Sequence, residues 1–374
     1  MNLKRTAEAK LRRRINILIF NLIFLIFLVF VLWCFFQKKP TTSEPAKPKF
    51  FAPDPPQSSG MFGLKEENKI ASKSPRIVRT LTSQNLPPLP SLGMVRIAAI
   101  QFAAEFGAPE ANRRRLSELI ELAAERGAQI VVMPETAIPG YMSEDRRTTW
   151  RDARRRPSPK DGRDVAAVAE PIPGKSSAYF SALAKRLKIW LVATLVEDAP
   201  KPLDSPLRVE RVCFNTALLL DPKGKIRLHH RKIRLWPPGD ATWAERGDRP
   251  PMIVETPLGR IGLMICYEAA EVLPQLAKQG ADFVLYPVGW VDHRPPELWF
   301  GETLPNWAKE YSLCIAAANW SAQKPPPDVF GWGFSSIISV EGRILAQAQT
   351  TIGDEIVFGD IPHPSKDAHK LFVP

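Results

Sequence analysis

Residues 259–287, GRIGLMICYEAAEVLPQLAKQGADFVLYP, switch hydrophobic period twice in one short stretch. An apolar run of strand length, 261–265, stops at Cys266-Tyr267-Glu268; helical spacing begins near Ala270, and a second apolar run opens at Phe283. Strands interleaved with helices in this way argue for a layered α/β domain. They also place a cysteine at a strand-to-helix junction. There, the N–H groups of the turn can lower a thiol's pKa and receive negative charge from a reacting carbonyl. A lone cysteine is more often a small buried apolar residue, so the reading of Cys266 depends on what accompanies it.

Two other stretches accompany it. Residues 128–135, AQIVVMPE, form a strand that ends on the carboxylate of Glu135 and is followed by Pro139-Gly140-Tyr141. In residues 229–236, HHRKIRLW, Lys232 leaves the end of a short strand that starts near Lys225. Taken singly, each charge fits a solvated strand end. Taken together and in chain order, MPETAIPGY, HRKIRL and GLMICYE resemble the Glu-Lys-Cys signature of the carbon-nitrogen hydrolase (nitrilase) superfamily over residues 94–362. The resemblance implies a four-layer α-β-β-α sandwich, often paired with a second subunit as a homodimer. It also implies a further acid shortly after the lysine. Trp236-Pro237-Pro238-Gly239-Asp240 puts an aspartate where many relatives have glutamate, one methylene shorter, and Glu245 competes with Asp240 for that place.

The 374 residues hold one large domain plus an appendage. Residues 1–14 carry six cations and a single acid, and residues 15–36 carry no charge and are dominated by Leu, Ile, Phe and Val. About 20 apolar residues cross a bilayer, so 15–36 is expected to be an uncleaved transmembrane signal-anchor helix. The basic side, 1–14, is expected to stay cytoplasmic and the domain to lie outside, in the periplasm of a bacterium with two membranes. Residues 37–93 form a Pro-rich linker too poor in apolar groups to offset its ordering entropy, 94–362 the catalytic domain, and 363–374 a tail. Of the net charge of +12, residues 1–39 hold +7 and residues 40–93 hold +3, which leaves +2 for the domain. The basic balance thus belongs to the appendage and gives no support to nucleic-acid binding.

Within the domain the spacing predicts strands at 95–102, 128–135, 189–196, 213–220, 225–230, 261–265, 283–286 and 314–318. Helices are predicted at 110–126, 176–187, 272–278 and 298–311, and a closing hairpin turns at Glu341-Gly342. Cys213 and Cys314 lie in apolar strands and are expected to be buried free thiols rather than a disulfide.

Cleaving an amide takes a nucleophile, a proton carrier and an oxyanion stabiliser. Following the resemblance, Cys266 would form a thioester with release of amine. Glu135 would move the protons, and Lys232 would stabilise the tetrahedral oxygen together with the backbone N–H of Tyr267. The expected activity is that of an amidase acting on a small-molecule amide or acyl-amine. The same residues suit a nitrilase, or an N-acyltransferase in which an amine clears the thioester. WPPGD and ICYE are also similar to the catalytic domain of apolipoprotein N-acyltransferase, whose multi-helix membrane portion is absent here. The segments around Tyr286 to Trp290 and Ala317 to Asn319 are similar to amidases of the biotinidase and pantetheinase type. A tethered binding domain without activity would have no use for the three reactive residues.

Trp290, Trp299, Trp307, Trp320 and Trp332 suit either a pocket rim or core packing. In the insertion 143–170, Arg146, Arg147, Arg151, Arg154, Arg155, Arg156, Lys160 and Arg163 suit either anionic headgroups or a solvated loop. No metal or cofactor is called for: His229 and His230 are neighbours on a strand and face opposite ways.

Overall fold

The structure is a computed structural model, and it describes residues 88–143, 148–154, 162–237, 239–290, 296–322, 324 and 333–364. The expected tail 1–14, span 15–36 and most of the linker 37–93 lie outside the described residues, as do Trp332 and most of 363–374. No helix among the described residues is long and apolar enough to cross a membrane.

In chain order the strands are β1 (Met94–Gln101), β2 (Ile130–Val132), β3 (Thr149–Arg151), β4 (Gly162–Asp164), β5 (Trp190–Pro200), β6 (Arg211–Leu220) and β7 (Ile226–Arg231). They continue with β8 (Ile253–Thr256), β9 (Gly259–Leu263), β10 (Phe283–Val288), β11 (Cys314–Asn319), β12 (Ser336–Ile338), β13 (Ile344–Gln347) and β14 (Glu355–Pro362). The helices are α1 (Pro109–Glu125), α2 (Lys175–Leu187), α3 (Ala269–Lys278) and α4 (Leu304–Glu310).

Two six-stranded sheets result, ordered β14-β1-β2-β5-β6-β7 and β13-β12-β11-β10-β9-β8. Each has parallel central strands, β1, β2 and β5 in the first and β9, β10 and β11 in the second, with antiparallel strands outside them. The strand period of two explains how β1 serves two cores at once. Val95, Ile97 and Ala99 pack toward the second sheet. Ala98 and Ile100 pack instead with Leu116 and Ile120 of α1 and Phe180 and Leu183 of α2. On the far side, Val272, Leu273 and Leu276 of α3 and Leu304 and Ala308 of α4 cover the second sheet. The layers are therefore α-β-β-α.

Helix α1 starts on Pro109, whose missing N–H costs nothing in a first turn, and is followed by Gly127 at φ +81, where a left-handed residue ends the helix. The helix expected over 298–311 is instead a π-helical turn, Leu298–Thr303, running into α4. Pro305 explains the break. It has no N–H to offer the preceding turn, so the chain takes a wider turn before regular α geometry resumes.

In the insertion, Arg151 donates to Thr242 Oγ1 at 2.7 Å, Arg154 pairs with Asp152 at 2.9 Å and Asp198 at 2.8 Å, and Arg163 lies 5.5 Å over the Phe106 ring. These three arginines hold the β3–β4 unit on the domain, whereas a freely solvated loop was one expectation. Arg146, Arg147, Arg155, Arg156 and Lys160 lie outside the described residues. Cys213 and Cys314 are buried and unpaired, and burial pushes each thiol up to about 12.

Candidate active site

The expected site residues sit just beyond the carboxyl ends of their strands. Glu135 follows β2, and its amide donates to Val288 O of β10 at 3.2 Å, so the loop bearing it is tied to the opposite sheet. Thr136, at φ +45, turns the chain away immediately afterwards. Lys232 follows β7, with its amide donating to Asn215 O at 2.9 Å. Cys266 follows β9 in a short 3-10 turn, Cys266–Glu268, and is left-handed at φ +45, a costly conformation for a residue with a side chain. Tyr286 Oη holds that elbow by donating to the Cys266 carbonyl at 2.9 Å.

The side chains converge. Lys232 Nζ donates to Glu135 Oε1 at 2.7 Å and lies 2.9 Å from Asp240 Oδ2, with all three side chains at 0–1% exposure. Asn215 Nδ2 donates to the same Glu135 oxygen at 2.7 Å and reaches Asp240 Oδ2 at 3.4 Å. Glu135 Oε2 faces Gly289 and accepts no hydrogen bond from the described residues, and Cys266 lies near enough to the carboxylate to act on it electrostatically. The Gly289 amide lies beside the Cys266 sulfur.

Asp240 opens a 3-10 turn, Asp240–Thr242, and its Oδ1 accepts from Trp236 N at 3.0 Å. Tyr141, fully inside, places its hydroxyl 3.4 Å from the same oxygen. Gly239 admits this packing, since a Cβ there would fall 2.4 Å from the Trp236 ring and 2.5 Å from Tyr141 Oη. The structure does not bring Glu245 to this group. The turn at Asp240–Thr242 and the bond from Glu245 N to Cys213 O direct it to a separate cavity of about 520 Å³ beyond Ile233, where its carboxylate meets Ser205 Oγ at 3.3 Å.

Burial dominates the electrostatics. It raises Glu135 above the ordinary carboxylate value, with Asp240 adding to the rise and Lys232 opposing it. Burial alone would discharge Lys232, but Asp240 and Glu135 outweigh it and hold the ammonium charged. Burial also pushes the Cys266 thiol well above its ordinary value, and the charge of Glu135 reinforces this against Lys232 and the Gly289 amide. Desolvation and the charge of Glu135 outweigh the lowering that N–H groups at the strand-to-helix junction can supply.

Tyr267, next to Cys266, is exposed, with the Arg234 guanidinium 5.1 Å from its ring centre. Its amide opens the 3-10 turn, where helical geometry supplies no partner. Trp290 stacks on Trp299 at 4.8 Å, Trp299 meets Trp307 edge-on at 5.3 Å, and Trp320 Nε1 donates to the Trp290 carbonyl at 2.7 Å. Trp290, Trp299 and Trp307 thus form a packed row, and Trp320, clustered with Tyr141 and Met142, is tied to it by that hydrogen bond. His229 and His230 engage different carboxylates, Glu197 at 2.8 Å and Glu268 at 2.6 Å. No cluster of three or more His, Cys, Asp or Glu side chains suited to a metal ion occurs among the described residues.

Sequence reasoning missed Asn215, Tyr141 and Gly289. A polar residue inside the otherwise apolar run of β6 was the available signal for Asn215, and Tyr141 stood at the end of a motif already noted.

The model of the carbon-nitrogen hydrolase family matches residues 96–365. Omega-amidase NIT2 of Xenopus tropicalis is 28% identical over 276 residues, covering 70% of this chain and 88% of its own length. Omega-amidase NIT2 of Homo sapiens is 29% identical over 262 residues, with 67% and 82% covered. Among solved structures, a mutant amidase from Nesterenkonia sp. AN1, showing covalent addition of the acetamide moiety of fluoroacetamide at its active-site cysteine, superposes with a TM-score of 0.58 at 21% identity, covering 77% of this chain and 100% of its own. A mutant of the same amidase in complex with butyramide gives 0.57 at 22% identity, with 76% and 100% covered. At such identities the solved structures speak for the fold, and the family match spans most of the chain. The chain belongs to the carbon-nitrogen hydrolase family, hydrolases of carbon-nitrogen bonds other than peptide bonds.

Proposed function

We propose that this protein is an amidase that cleaves a small, non-peptide amide through a thioester on Cys266. One observation carries the reading: Glu135, Lys232 and Cys266, together with Asp240, share one buried cage at the carboxyl ends of their strands. The names of the relatives, omega-amidases and an amidase with a substrate fragment on its cysteine, point the same way.

In the first half-reaction the Cys266 sulfur attacks the amide carbon as its proton passes to Glu135. The C–O double bond opens to an oxyanion facing Lys232 and the Tyr267 amide. Glu135 then gives the proton to the nitrogen, the C–N bond breaks, and the amine leaves. In the second, Glu135 takes a proton from water as its oxygen attacks the thioester; the S–C bond breaks, and acid and thiol are restored. Asp240 holds Lys232 throughout.

The uncharged run 15–36 supports a further part of the proposal, that a single membrane helix anchors the enzyme with its catalytic domain outside the cytoplasm. Added protease should then digest the domain only after the outer barrier is opened and without lysis of the inner one. Digestion only after lysis of the inner membrane would reverse the orientation.

The test of the chemistry is intact-mass measurement after exposure to a panel of saturated amides, butyramide among them, under rapid quench. A substrate-dependent mass gain that disappears in Cys266→Ala is expected. A gain that survives that substitution would place the nucleophile elsewhere.

A further inference from the structure

The fully buried carboxylate of Glu268 plays no part in the chemistry above, yet it touches both halves of the cage. Its Oε1 accepts from Ile265 N at 2.6 Å, the peptide immediately before Cys266, and from His230 Nε2 at 2.6 Å. Its Oε2 accepts from Ile233 N at 2.7 Å, the peptide immediately after Lys232. A backbone N–H on each of its two oxygens suits a carboxylate, which can accept at both; a carboxamide would turn an NH₂ toward one of those N–H groups. Through Oε1 the side chain closes a small ring over residues 265–268, and inside that ring lie the left-handed Cys266 and the Tyr267 amide. Through Oε2 it holds the end of the lysine strand. The cysteine turn and the lysine loop come from different sheets, and this side chain spans them directly.

We infer that Glu268 is a positioning residue that fixes the distance between the two oxyanion donors, Lys232 Nζ and Tyr267 N–H. This rests on the amidase reading given above. Both donors hang from peptides bonded or adjacent to one carboxylate, so a shift of the carboxylate moves one donor relative to the other. The effect is confined to the step in which an oxyanion exists. A thiol reagent without a carbonyl needs neither donor.

The experiment compares two reactions of the full-length protein and its Glu268→Gln variant. One is ammonia release from butyramide and the other amides of the panel. The other is modification of Cys266 by methyl methanethiosulfonate, read on the Cys266 peptide; the sulfur there forms an S–S bond as methanesulfinate leaves, and no tetrahedral oxyanion forms on a carbonyl carbon. In Glu268→Gln, kcat should fall about 10²-fold, the loss seen when one oxyanion donor is misplaced, with KM little changed. Cys266 modification should stay within about threefold of the unsubstituted rate, since no oxyanion donor takes part in it. Turnover that stays at the unsubstituted level would overturn the inference. So would modification that slows in step with turnover, which would assign the carboxylate to the nucleophile or to the fold. Should Glu268→Gln not fold, His230→Gln removes one of the three donors and leaves both backbone bonds. There kcat should fall roughly three- to tenfold with modification unaffected, and an unchanged kcat would overturn the inference. Loss of the amidase reading itself would look different: the unsubstituted protein and Cys266→Ala would release ammonia equally.

Discussion

Gly289→Ala isolates the space around the free oxygen of Glu135, the general base of the proposed mechanism. A Cβ at this position would fall 2.7 Å from Glu135 Oε2 and 3.2 Å from Tyr141 Cδ2. A carbon and an oxygen in ordinary contact stand about 3.3 Å apart, so one of them must yield roughly 0.6 Å. The tip of a glutamate usually swings aside at little cost. Here it is pinned, because Oε1 is held at 2.7 Å by Lys232 and at 2.7 Å by Asn215. Rotation that relieves Oε2 therefore stretches one of those bonds or turns the base away from the thiol. Misplacement by about 1 Å near a reacting atom costs about 10²-fold, so kcat/KM should fall by roughly 10- to 10²-fold, or about 1.4 to 2.7 kcal/mol. Overpacking of this kind should also lower unfolding free energy by about 1 kcal/mol. Steady-state ammonia release and urea unfolding measure the two effects. Gly301→Ala serves as the reference, since a Cβ there meets nothing within 4 Å and turnover should be unaffected. If Gly289→Ala kept turnover within about twofold, the carboxylate would be free to relax, and its pinning by Lys232 and Asn215 would lose its catalytic meaning.

Asp240→Asn should lower kcat by about 10²-fold, because it removes an anion held 2.9 Å from the buried ammonium, while Glu245→Gln in its separate cavity should change turnover by less than about twofold. Equal losses from both would mean that the two acids act together. Tyr286→Phe takes away the hydroxyl that holds the Cys266 carbonyl at 2.9 Å; unfolding free energy should drop by about 1 kcal/mol and kcat by about tenfold, measured side by side. Acid stability should trace to Glu197. Burial would raise this carboxyl, but hydrogen bonds from His229 and Arg231 and their charges outweigh it and hold the group down to about 2 from an ordinary 4.5. A depressed carboxyl contributes stability that is full above about 4.5 and lost as pH falls toward about 2, here about 3 kcal/mol. Urea midpoints between those pH values should decline steeply, and Glu197→Gln should flatten that decline; an equal slope in the variant would assign the acid sensitivity to other groups.

The parts of the fold legible in the sequence were those with a local period. The runs that became β1, β5, β6, β9, β10 and β11 are mostly apolar because layers cover both faces, and the charged residues just beyond such runs stand out. What escaped was set by partners distant in the chain. Strand β14 pairs with β1 along its length, Met94 opposite Pro362, a relation no short window contains. Asn215 looked like a polar interruption, and its meaning came only when β6 set it against Glu135 and the 240 turn. Glu245 was a credible second acid by spacing alone. Three residues of 3-10 turn sent it elsewhere, because spacing along a loop does not specify direction. Arg151, Arg154 and Arg163 looked like a basic face until their carboxylate, hydroxyl and aromatic partners were in place.

The shared lysine gives the second acid a physical reason on the proposed mechanism. Burial and Glu135 push the thiol up, which on this mechanism favours passing its proton to Glu135 as the sulfur attacks. During that event negative charge leaves Glu135 and reappears on the oxyanion. Lys232 lies within reach of both and need not move, so the cage stabilises the oxyanion with little reorganisation. Once Glu135 is protonated it no longer anchors the ammonium, and a buried cation with a single, transient partner would be free to follow the oxyanion or lose its proton. Asp240 is a permanent partner at 2.9 Å. Its shorter side chain suffices because the 3-10 turn starts on Asp240 itself and the Trp236 amide holds its other oxygen, so the backbone supplies the reach that a methylene would have given.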